Sequence, residues 1–187
     1  MFATKFLSLI VAVVLLVSVK QLSSGENSHS VEYRIEHLRL TNIILKQHSY
    51  LKQIDCLARN VHYESRGESE RGQLAVALVT LNRVDSKLFP NSICGVINER
   101  YLIQDQLVCQ FSWRCETTSN PKLILSKTSP VYKVALKAIM EKHTLKLVTD
   151  DTYWFHANYV KPKWRRYKQL VAKIDTHIFY RDKDISH

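Results

Sequence analysis

Apolar residues recur at Ile54, Leu57 and Val61, and the next position on that stripe is Glu64. Steps of three and four residues trace one buried face of a helix, which predicts a helix over about residues 52–65 with Gly67 as its stop. A carboxylate on an apolar stripe is costly unless it is paired or neutral. The pKa of Glu64 is therefore expected to rise, which makes it a candidate general acid. The competing reading is a frayed helix end at which Glu64 meets Arg66 or water. Residues 72–84 are apolar on nearly every side, as in a central buried helix, with Ser69 as N-cap and Glu70 in the first turn. Asn82 and Arg83 are unusual in such a core; they either cap and pair locally or face a cleft. Phe89-Pro90-Asn91-Ser92 breaks the chain before a short helix over residues 93–98, and residues 100–128 read as a long loop. Ser129-Pro130 opens a helix running to about Lys142. Residues 152–156 predict a strand, and residues 169–174 and 177–181 a hairpin around Asp175-Thr176. Upstream, Ile35, Leu38, Leu40, Ile43, Ile44 and Leu45 stand among charges, which predicts a helix or helical hairpin packing onto the domain. The expected class is α+β, mainly helical, with a small antiparallel sheet.

A chain of 187 residues, 45% hydrophobic and 24% charged, suits one globular domain. Lys5 precedes a run over residues 6–19 that is apolar except for Ser8 and Ser18, followed by Lys20-Gln21-Leu22 and the small residues Ser23-Ser24-Gly25. That describes a secretory signal peptide or, if uncleaved, a membrane anchor over residues 1–24. Residues 25–50 then form an N-terminal helical extension, and residues 51–187 the main domain. The chain is expected to be exported to the periplasm, cell envelope or medium, and to be monomeric. Without Lys5 and Lys20 its formal charge falls from +10 to +8, still basic enough to attract polyanions. The densest basic stretch is residues 161–168, with Trp164 and Tyr167 inside it. No nucleic-acid motif is present, so an acidic wall polymer is the expected partner, against the alternative of a solvated charged loop. Four cysteines in an exported chain suggest two disulfides. The sequence does not choose among three connectivities. Cys109 and Cys115 bracket a loop they could close, and Cys56 and Cys94 would then tie the first helix to the segment after the second.

Several chemistries lack their residues. His62-x-Glu64 has no Pro-Cys-x-x-Cys partner for a zinc deaminase site. There is no His-Glu-x-x-His motif and no Gly-x-Ser-x-Gly elbow. Oxidised cysteines leave no thiol nucleophile. No metal or cofactor is expected. Carboxylate chemistry at Glu64 remains, with aromatic segments suited to the apolar faces of sugar rings.

The run from Cys56 to Glu68, Cys-Leu-Ala-Arg-Asn-Val-His-Tyr-Glu-Ser-Arg-Gly-Glu, resembles the leading motif of the bacterial cell wall hydrolase family that includes the spore-cortex-lytic SleB-type enzymes. Gly72-Gln73, Ala75-Val76-Ala77, Leu81-Asn82-Arg83-Val84, Phe89-Pro90-Asn91 and Cys94-Gly95-Val96-Ile97 continue the resemblance. Cys109-Gln110-Phe111-Ser112-Trp113, Phe155-His156-Ala157, Tyr159-Val160, Pro162 and Trp164 follow in the family's order, so the likeness spans about residues 52–181. It departs at Ser65, where Ala is common, and at Cys115-Glu116, where Cys-Asp-Gly is frequent. The resemblance implies a lysozyme-like helical body acting on peptidoglycan, with Glu64 as catalytic acid. It further implies a lytic transglycosylase, in which one group acts as acid and then as base to leave a 1,6-anhydromuramoyl end. Such a scheme suits a sequence with no obvious second carboxylate. Gln110, Phe111 and Ser112 are assigned to the substrate groove, and Tyr153, Phe155, His156 and Tyr159 to its opposite wall. For His156 a purely structural role is the rival, and for Phe111 and Phe155 a place in the core. Glu68 and Asn82 are expected to support the site. The alternatives are an N-acetylmuramoyl-L-alanine amidase and a non-catalytic wall-binding protein.

Overall fold

The computed structural model describes residues 28–116 and 123–183, in two units that divide between Ser49 and Tyr50. The signal or anchor segment lies outside the described residues. Among those described, no helix is long and apolar enough to cross a membrane.

Helix α1 spans Ser28–Ser65. It is one continuous helix, not the hairpin considered above, because no glycine or proline interrupts these residues. In the part up to Ser49, Ile35, Leu38, Leu40, Ile43 and Ile44 are 48–55% exposed. From Tyr50 onward the predicted stripe is real: Ile54, Leu57 and Val61 are buried.

Helix α2, Glu70–Asp85, is the central element, with every residue from Gly72 to Arg83 buried. Ser69 caps it, its hydroxyl accepting from Gly72 N at 3.2 Å. The Asp175 carboxylate in turn accepts from the Ser69 amide (2.9 Å) and hydroxyl (2.6 Å). A Cβ at Gly72 would lie 2.3 Å from Asp175 Oδ2, so a larger residue would push away the carboxylate that holds Ser69. Helix α3, Ile93–Asn98, is capped by Ser92, and α4 is Pro130–Glu141. These helices and the last turns of α1 enclose one apolar cluster. A smaller cluster joins Ala75, Val76 and Val79 of α2 to Ile174 and Phe179.

Strands β3 (Thr152–Ala157), β4 (Lys168–Ile174) and β5 (His177–Asp182) form an antiparallel sheet in the order β3-β5-β4. The β4–β5 hairpin turns where expected, with Asp175 at φ 48°. Part of the stretch expected to be a long loop, residues 100–128, forms strands. Strands β1 (Arg100–Ile103) and β2 (Gln106–Cys109) make a second small sheet, turning through Gln104 and Asp105 at positive φ. Its signal is weak because both strands are short and exposed, without alternation, and the turn has no glycine. Disulfides join Cys56 to Cys94 and Cys109 to Cys115. The observed class is α+β, mainly helical, with two small antiparallel sheets.

Candidate active site

The last turns of α1 and α2 place Glu64 and Arg83 at one groove of about 740 Å³. Its other walls are the loop at 110–116 and the end of β3 with residues 157–160. The fraying alternative does not hold, because α1 continues through Ser65 and the Ser65 hydroxyl donates back to Val61 O at 3.1 Å.

Burial pushes the Glu64 carboxyl up to about 7; Arg83 pulls it down and the negative charge of Glu116 raises it further. Glu64 is therefore largely protonated below neutral pH. Burial also brings Arg83 down to about 10, opposed by Tyr101, Glu64 and Glu99, so it stays a cation. Its Nε and Nη2 donate to Tyr153 O at 2.9 and 2.6 Å. With its amide oriented to suit its neighbours, Gln110 accepts through Oε1 from Arg83 Nη1 (2.9 Å) and Nη2 (3.2 Å) and donates through Nε2 to Tyr101 Oη (3.1 Å). The rings of Phe111, Phe89 and Trp154 flank the guanidinium at 5.2, 5.5 and 5.8 Å.

The loop is held from inside. Trp113 Nε1 donates to Asn60 Oδ1 at 3.0 Å, and Asn60 Nδ2 donates to Thr80 Oγ1 at 3.2 Å. Asn60 is fully buried, so this chain fixes the loop against both long helices. The Trp113 ring stacks on Tyr63 with centroids 4.4 Å apart. The Cys109–Cys115 bridge closes the loop's base.

Opposite, Phe155, His156 and Tyr159 line the groove as assigned from the sequence, as do Gln110, Phe111 and Ser112 across from them. Phe111 also belongs to the core, so its ring both lines the groove and packs inside. His156 Nδ1 donates to Ala157 O at 2.8 Å, which leaves Nε2 to accept from Tyr180 Oη at 3.0 Å. Both nitrogens are engaged, and the structural role applies to His156 as well. Tyr153 is a correction. It falls at a β-bulge between Thr152 and Trp154, and its side chain lines a separate hollow with Asn82, Asp85 and Lys142. Only its carbonyl serves the site, through Arg83.

Glu68 and Asn82 lie outside the groove. Glu68 accepts from Thr176 N (3.1 Å) and Thr176 Oγ1 (2.5 Å), and its Oε1 is 3.9 Å from His177 Nδ1. Asn82 donates to Thr149 O and Thr152 O at 2.9 and 3.2 Å, tying α2 to the start of β3. Arg83, Tyr63, Trp113, Glu116 and His177 also line the groove and were not assigned to it. Arg83 had a signal, being a cation at the end of an apolar helix; His177 and Glu116 had none, since topology alone brings them in. Glu116 brings to the groove a second carboxylate that was not obvious in the sequence. Burial lowers the His177 pKa, opposed by Glu68 and Asp175. Among the described residues no group of three or more His, Cys, Asp or Glu could hold a metal ion.

The profile of the cell wall hydrolase family matches residues 67–180, beginning just after Glu64. The spore cortex-lytic enzyme of Bacillus cereus is 33% identical over 127 residues, which is 67% of this chain and 43% of that protein. That of Halalkalibacterium halodurans is 50% identical over 126 residues, 67% of this chain and 34% of that protein. The chain thus spans less than half the length of these curated relatives. The crystal structure of the catalytic domain of the Bacillus cereus SleB protein superimposes with a TM-score of 0.52 at 30% identity, covering 69% of this chain and 89% of that one. A buried acid on a groove, a helical body and these matches agree: the chain belongs to the cell wall hydrolase family.

Proposed function

We propose that this protein cleaves the glycan strands of peptidoglycan as a lytic transglycosylase, with Glu64 as acid and then base. The observation that carries the reading is Glu64 itself, a carboxyl raised to about 7 on an open groove. Such a group is protonated often enough at neutral pH to give its proton to a glycosidic oxygen. As the C1–O bond breaks, the leaving sugar takes that proton and C1 gains positive character. The Glu64 carboxylate then accepts the proton of the muramoyl 6-hydroxyl, whose oxygen bonds to C1 and closes the 1,6-anhydro ring. Glu64 ends protonated as it began, and no water is consumed. Arg83 favours the carboxylate between the two steps, while burial favours the acid before them.

Glu116 supports a second reading. Two carboxylates on one groove are the equipment of a glycoside hydrolase, in which the second activates water or attacks C1. Product analysis separates the readings. Digests of purified peptidoglycan are expected to carry anhydromuramoyl ends; reducing ends would assign Glu116 a direct role. Release of stem peptides from intact glycan would mean an amidase, and wall binding without any product a non-catalytic protein. The substrate lies outside the cytoplasm, so the chain would be exported through residues 1–24, cleaved or retained as an anchor. Mass spectrometry of the envelope fraction distinguishes those two fates.

A further inference from the structure

Beyond the groove, the chain crosses the surface from Val160 into a 3-10 helix, Lys163–Tyr167, before entering β4. This strap is held by the Trp164 ring and by Lys183 Nζ, which donates to Arg166 O at 3.2 Å. The Trp164 ring lies 5.5 Å from His156, 5.6 Å from Tyr180 and 6.1 Å from Trp154. Around that ring Lys161, Lys163 and Arg166 are exposed, and Arg165 is partly so. None of the four has a carboxylate partner among the described residues. Elsewhere in the same domain Lys137 pairs with Glu70, Lys142 with Asp85 and Arg181 with Asp151, and at the strap's own end Lys168 pairs with Asp182; what sets the four apart is that they are adjacent in one short stretch beside the groove. The strap's aromatic flanks, Tyr159 and Tyr167, are 80% and 75% exposed. Tyr159 and Val160 also line the groove, so the cationic strip continues directly from its end.

A fixed backbone that displays four uncompensated cations beside a glycan groove fits anions carried by the glycan. Peptidoglycan strands bear acidic peptides on alternate sugars, which leave the strand sideways and present carboxylates. We propose that the strap at residues 160–168 binds the carboxylates of these peptide branches, so that the enzyme prefers peptide-bearing strands to bare ones. The proposal rests on the groove holding a glycan.

The test compares two substrates prepared from one wall, intact strands and strands stripped of peptide, each also prepared with any phosphate polymer removed. Three full-length proteins are assayed: wild type; the strap variant Lys161→Ser, Lys163→Ser, Arg165→Ser, Arg166→Ser; and a control that removes equal charge elsewhere, Lys87→Ser, Lys127→Ser, Lys133→Ser, Lys146→Ser. Exposed ion pairs are weak singly, so the four together are expected to carry about a 10-fold difference. Wild type should turn over intact strands about 10-fold faster than stripped ones at low salt. The strap variant should lose that preference while cutting stripped strands at the wild-type rate, and the control should keep it. Preference should also decline with salt, as exposed charges are screened over about 8–10 Å. Equal losses on both substrates, or an equal effect of the control, would overturn the proposal. So would a preference that follows the phosphate polymer rather than the peptide. If wild type breaks no glycosidic bond in either substrate, it is the reading of the groove that fails.

Discussion

The helical side of the groove and its loop side hold their polar groups by different means. On the helical side, Glu64 and Arg83 stand in the last turns of helices whose apolar faces are buried, and burial moves both pKa values. On the loop side, Gln110 to Trp113 have little regular structure, and shape comes from the Asn60–Trp113 hydrogen bond and the Cys109–Cys115 bridge. Burial can tune protonation only where a rigid scaffold enforces it; a loop has to be cross-linked to reach the same precision. Changes on the helical side should therefore alter chemistry at constant shape, and those on the loop side should alter shape.

The largest effect is expected at Glu64. Glu64→Gln keeps the size of the group but has no acidic proton, and should reduce turnover of peptidoglycan by about 10²–10⁴-fold or more, with an unchanged circular dichroism spectrum. An active variant would remove the mechanism. Glu68→Gln should cost far less, because Glu68 meets the Thr176 turn and not the groove.

On the loop side, replacing Cys109 and Cys115 together with Ser should lower kcat while leaving the fold. The bridge closes a short loop, sequence separation 6, and its loss should cost about 2 kcal/mol. Removing Cys56–Cys94, separation 38, should cost about 4 kcal/mol in stability, with kcat unchanged in the protein that remains folded. Denaturant melts and initial rates on the same samples test the pair; equal effects on kcat would erase the distinction.

The same Glu64→Gln protein tests the cost of burial. Because the folded pKa of Glu64 is raised to about 7 from 4.5, folding takes up a proton between those values. Stability from this group is thus full below about 4.5 and is lost as pH rises through about 7. Glu64→Gln should melt higher than wild type at pH 8, by at most about 3 kcal/mol before solvent screening, and show no such gain below pH 4.5. A gain that is the same at both pH values would contradict the raised pKa.

The smallest expected change is in the pH profile. The acid form declines above about pH 7, so kcat/KM should fall on the alkaline side. Arg83→Met removes the charge that holds Glu64 down, and should move that limb to higher pH. Glu116→Gln removes a charge that holds it up, and should move the limb to lower pH. Shifts in the other directions would mean that neither residue acts on Glu64 through its charge.

Local pattern determined much of this molecule. The stripe at Ile54, Leu57 and Val61 specified a buried face, and Glu64 at its end followed by counting along a 3.6-residue period. The cap at Ser69, the helix start at Ser129-Pro130 and the hairpin turn at Asp175 were legible because each depends on neighbours in sequence. Other features belong to the tertiary structure. The β1–β2 hairpin has neither alternation nor turn glycine, so no local signal marked it. Tyr153 left the groove because a bulge reverses the strand's facing, and bulges depend on the partner strand. Arg83 and Glu116 act on Glu64 through their charge, and His177 lines the same groove, although none is its neighbour in sequence. Period and capping reach only a few residues along the chain, whereas the charges that set an acid's pKa act through space, and only the folded chain decides which of them are near.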